Sequence, residues 1–165
     1  MIESIQKLIH ALRAELQEYG EMLALLDRQQ QMVIERAAGE VFQSIALIQT
    51  QGIAVRDARA RRGECSQTVA FEAGLAADAD LGALIPTLPP DYRPLVKALI
   101  DENNELLVRV QQRARQNHLL LSRSLELMQG LINSLLPSTE TRVYNGQGGM
   151  DSHGATSRLL YEAVG

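Results

Sequence analysis

Residues 2–26 read IESIQKLIHALRAELQEYGEMLALL, and a single apolar seam runs through them without a break. Ile2, Ile5, Ile9, Leu12, Leu16, Tyr19, Leu23 and Leu26 are spaced alternately by three and four, while Glu3, Gln6, Lys7, Arg13, Glu15, Gln17, Glu18 and Glu21 fill the intervals. That is the 3.5-residue period of a helix that lies lengthwise along another helix. The chain therefore opens as a rod, and its function must use one.

Working outward, the seam weakens at Gln30, resumes at Val33 and Ala37, and then steps to Val41, Ile45, Ile48, Gly52 and Val55. An added four-residue step of this kind is a stutter, which locally unwinds a left-handed supercoil. No proline precedes Pro86, so the pattern predicts one long helix over about 2–58. Arg56, Arg59, Arg61 and Arg62 then gather before Gly63. They suit, first, the negative end of a helix dipole with Gly63 as its C-cap; an acidic partner is the lesser alternative. Residues 59–90 read as a connector, rich in Ala and Gly and ending in Pro86, Pro89 and Pro90. A short helix over 66–73 and a single turn over 81–85 capped by Asp80 fit within it.

The second long helix is predicted over about 91–136, with Pro94 in its first turn and Pro137 ending it. Its seam is Leu95, Leu99, Asn103, Leu106, Val110, Ala114, Asn117, Leu121, Leu125, Met128, Ile132 and Leu135. Asn103 and Asn117 stand on this stripe either as buried amides that fix register or as half-exposed edge residues. Beyond Gln116 the apolar positions widen to include Leu119, Leu120, Leu127, Leu131 and Leu136, more than one neighbouring helix covers. Surplus apolar surface of this kind marks an interaction site. Residues 137–165 have no long period, and Gly146, Gly148 and Gly149 suggest a flexible tail. Within it Tyr144, Leu159, Leu160, Tyr161 and Val164 are apolar islands. The expected fold is all-α: two long antiparallel helices in a coiled-coil-like hairpin, short connector helices and a tail. The helical domain is 1–136 and the tail 137–165. The seams suit pairing within one chain or between two, so a homodimer stays open.

Composition agrees. Of 165 residues, 45% are apolar but only 4% aromatic, with no Trp, which favours helices over sheets. A net charge of −4 argues against a general nucleic-acid binder, which needs a surplus of Lys and Arg. The one cysteine, Cys65, excludes an internal disulfide and suits a reducing cytoplasm. Residues 1–26 are too charged for a secretory signal, and no apolar run is long enough to span a membrane. His10, His118 and His153 share no metal-ligand spacing, and no nucleophile, phosphate-loop or metalloprotease motif occurs. The expectation is a binding protein without catalytic residues, metal or cofactor.

The run Asn117-His118-Leu119-Leu120-Leu121, the apolar half-helix to Leu136 and the segment Tyr144-Asn145-Gly146-Gln147-Gly148 resemble the C-terminal part of the FlgN family of flagellar export chaperones. The spacing of Leu12, Leu16, Tyr19 and Leu23 is similar to that family's first helix, so the likeness spans most of residues 1–150. Asn145 separates Tyr144 from Gly146 where the family carries Tyr-Gly. The resemblance implies a cytoplasmic chaperone of flagellar type III export. Such a chaperone binds hook–filament junction (hook-associated) proteins, holds them from early assembly and delivers them to the export gate. Clients would lie on Asn117, Leu121, Leu125, Met128, Ile132 and Leu135, and Tyr144 would dock on the gate. The competing readings are a structural coiled coil and a scaffold with no export role.

Overall fold

A computed structural model describes residues 1–76 and 79–135. The order is α1 (Ile2–Ile34), α2 (Ala38–Glu72), α3 (Leu81–Leu84), a 3-10 turn (Ile85–Thr87) and α4 (Arg93–Leu135). The all-α class with long helices packed lengthwise holds, and no strand occurs among the described residues. The difference lies in the first rod, which is two helices rather than one over 2–58. It folds back at Glu35, Arg36 and Ala37. Arg36 takes the left-handed conformation with φ 59°, although it is not a glycine. Its N–H donates to Val33 O at 3.2 Å and that of Ala37 to Met32 O at 2.9 Å. This pair of bonds satisfies the last carbonyls of α1, as a Schellman ending does. Val41, Ile45, Ile48 and Val55 are thus not a stutter in one supercoil but the start of a new helix running back.

The expected connector over 59–90 is corrected in the same way. Residues 59–72 complete α2, and Gly63 is interior to it. Gly74, with φ 73°, ends that helix by the same two bonds, its N–H to Phe71 O at 3.1 Å and that of Leu75 to Ala70 O at 2.9 Å. Glycine is the residue that adopts this backbone without steric cost.

Directions follow from side-chain contacts. Ser4 donates to Glu72, Gln51 to Glu18 and Gln29 to Ser44, so α1 and α2 are antiparallel. Asn103 donates to Leu12 O and Asn117 to Leu26 O, each across 91 residues, so α4 runs parallel to α1. Pairing is within one chain, and α1 serves two neighbours. Its buried line is Ile5, Leu8, Leu12, Glu15, Tyr19, Met22, Leu26 and Gln29, with Ile9 beside it. Leu16 and Leu23, on the line read from sequence, are half-buried, and Ile2 is exposed.

The largest apolar cluster sits at one end of the bundle. Ile5, Leu8, Ile9 and Leu12 meet Val69 and Ala70 of α2, Leu84 and Leu88 of the connector, and Val96 and Leu99 of α4. The connector is folded over this end, and burying each such side chain contributes roughly 1.5–3 kcal/mol. Two compact units divide the chain, Met1–Leu125 and Glu126–Gly165. In the second, residues 126–135 are described, and they are helical. The tail, with its boundary at 136 and 137, lies outside the described residues.

Candidate functional site

Beyond the apolar end, polar side chains hold the helices together. Glu15, nearly enclosed, accepts from Arg62 Nε at 2.9 Å and from the Tyr19 hydroxyl at 3.0 Å, with Arg59 Nε 4.0 Å away. A carboxylate taken out of water alone costs several kcal/mol, and these partners offset that cost. Burial, reinforced by the Glu15 charge and hydrogen bond, pushes the Tyr19 phenol up to about 12. A cleft of about 100 Å³ opens beside this group, with Arg59 and Asn103 on its wall.

Asn103 donates to Leu12 O at 3.0 Å and to Leu99 O at 2.8 Å, so one amide grips both helices. Two heptads on, Asn117 donates to Leu26 O at 2.7 Å and to Gln29 Oε1 at 3.1 Å. Gln29 in turn donates to Ser44 Oγ at 3.0 Å, which completes a polar line across all three long helices. Arg113 adds an ion pair with Asp27 at 2.6 Å and a bond to Gln30. Of the two readings left open for the amides, burial is the one realised: Asn103 is 6% and Asn117 2% exposed.

Asn117 therefore faces α1 and is not available to a client, which corrects its place in the expected binding set. Leu121 is half-buried and Leu125 60% exposed. Leu119 and Leu120 are exposed as well. In the second unit Met128 is 59% and Ile132 52% exposed, and Leu127 and Leu131 are open to solvent. Leu135 is the last residue of α4. Tyr144 lies outside the described residues.

Sequence reading passed over another surface. Both phenylalanines of the chain, Phe42 and Phe71, lie on α2 and are 79% and 83% exposed. Ile53 stands in nearly the same direction as each, opposite the face that Ser44, Gln51 and Arg62 turn to α1. The available signal was the absence of any charged residue over 41–55.

Among the described residues no group of three or more His, Cys, Asp or Glu could hold a metal ion. No helix there is long and apolar enough to cross a membrane. The bundle, fastened by buried amides and carrying open apolar helix faces, is that of an all-helical binding protein. A family profile described as FlgN protein matches residues 1–152. The chain belongs to the FlgN family, and its general role is that of a flagellar export chaperone. No curated protein matches the chain, and no solved structure does.

Proposed function

We propose that this chain is a cytoplasmic export chaperone for hook-associated proteins, acting by binding alone, without catalysis or a cofactor. It keeps its clients from assembling early and delivers them to the type III export gate. The observation that carries the reading is the exposed apolar surface late in α4, within the region the FlgN profile matches. Leu121, Leu125, Met128, Ile132 and Leu135 receive the apolar face of a client helix, a helix-in-groove mode of recognition. Asn117 acts at one remove, by holding α4 on α1. The test is titration of the full chain with C-terminal segments of hook-associated proteins. Changing Leu121, Leu125 and Met128 together to Ser removes apolar contacts worth on the order of 1 kcal/mol each, so affinity falls roughly 100-fold. Unchanged binding with retained helicity sinks the site.

Tyr144 docks on the export gate in this reading. Tyr144→Ala keeps client affinity and lowers secretion of the client from cells. Normal secretion by that variant removes the assignment.

A further inference from the structure

We propose that α4 from Asn103 to Leu121 is a strap that lifts from α1 while the rest of the first unit stays folded, so that the side of α1 beneath it is offered only in the open state. The inference concerns the chain alone and stands apart from client binding late in α4. The α1–α4 contact changes in kind along its length. Val96 and Leu99 are buried in the apolar cluster with Leu8 and Leu84. From residue 100 to residue 125 the only buried side chains of α4 are those of Asn103 and Asn117. Leu106, Leu107, Val110 and Leu121 are half-buried, and Leu125 is open. The first stretch anchors α4, and the second is held by polar clasps.

The clasps favour release because water can replace them. Asn103 and Asn117 each give amide N–H groups to α1, but each Oδ1 is sealed from solvent with no protein partner among the described residues. A sealed acceptor without a donor raises the free energy of the closed state, and lifting α4 hydrates it. A purely apolar contact gains nothing from water in this way. The third clasp, Arg113 with Asp27 and Gln30, is partly exposed, where salt screens it and water competes for it. Tyr19 and Leu107 wall one cleft beside Asn103, which gives water a way in at the first clasp. Meanwhile α1 keeps its other neighbour, because Glu15 stays on Arg62, Glu18 on Gln51 and Gln29 on Ser44. The fourteen residues between the two clasped carbonyls of α1, Leu12 O and Leu26 O, correspond to about 21 Å of helix that α4 vacates.

Native-state hydrogen exchange of the full chain at a series of low urea concentrations tests this. A lifted helix is marginal in water and exchanges its amides. Amides of 103–121 are expected to exchange about 100-fold or more faster than those of 5–12 and 66–70. Their exchange should also depend less steeply on urea, since opening the strap exposes less surface than unfolding the whole unit. Asn103→Leu removes one sealed acceptor, while Asn117 keeps the register and the Leu12 and Leu99 carbonyls keep their own helical N–H partners. This variant is expected to slow exchange in the strap by about 10-fold. One urea dependence shared by 103–121 and 5–12 overturns the proposal, because α4 then leaves only by global unfolding. Faster strap exchange in Asn103→Leu with unchanged helix content overturns it as well, because the amide then holds α4 more tightly than an apolar contact does.

Discussion

Tyr19 and Glu15 stand one turn apart on the buried side of α1, and their hydrogen bond ties the protein's stability to alkaline pH. The phenol is pushed up to about 12 in the folded chain, first by burial and then by the Glu15 carboxylate. An unfolded tyrosine titrates near about 10, so below that pH both states hold the proton and the contribution is whole. Between about 10 and 12 the unfolded chain releases its proton first, and stability falls as pH rises. The loss is on the order of 2 kcal/mol for this group. Urea unfolding on either side of this range checks it. Tyr19→Phe is expected to flatten that part of the pH dependence while costing about 1 kcal/mol at neutral pH from the lost hydrogen bond. Equal alkaline losses in both proteins would place the titration elsewhere. Asn103 and Asn117 show the opposite economy at the same scale. Each uses its amide N–H groups on an α1 carbonyl and leaves its Oδ1 without a protein partner among the described residues. Leucines there would bury more apolar surface but could slide; an amide bonded to Leu12 or Leu26 fits only one register.

The reversal between α1 and α2 is written at Arg36. A non-glycine residue in the left-handed region costs roughly 1–2 kcal/mol. Arg36→Gly is therefore expected to stabilise the protein by about 1 kcal/mol, seen as a higher thermal midpoint with an unchanged circular dichroism spectrum. A lower midpoint would mean that the Arg36 side chain contributes more than its backbone costs. This strained residue also explains what the amino acids revealed and what they hid. The helical class, the entry to α4 at Arg93 with Pro94 behind it, and the turn after Asp80 follow from periodicity and proline placement. The hairpin did not, because Glu35-Arg36-Ala37 contains no Gly, Asn or Pro, and packing of α2 against α1 overrides local preference. Glu15 reads as solvent-facing because its partner, Arg62, comes from a helix whose direction the period of α1 does not give. In the candidate site the surplus of leucines late in α4 was legible by counting. The burial of Asn117 was not, since a single stripe gives no sign of which of its members a neighbour will cover.

Across the first unit, apolar packing is densest at one end, and polar fastening joins buried Tyr19, Met22 and Leu26 along the rest. The cluster around Leu8 and Leu84 closes one end, while Glu15, Asn103, Gln29, Ser44, Arg113 and Asn117 hold the remainder. Both amides keep the same 91-residue offset between α1 and α4. That offset has a meaning in time. Leu12 and Leu26 leave the ribosome 91 residues ahead of the side chains that cap their carbonyls, and at 5–20 residues per second this is a wait of roughly 5–18 s. The α1–α2 hairpin can close meanwhile, but the side of α1 that α4 will cover, with Leu16 and Leu23 at its edge, stays bare. A nascent export chaperone with this register thus spends its first seconds as a chain that itself needs shelter.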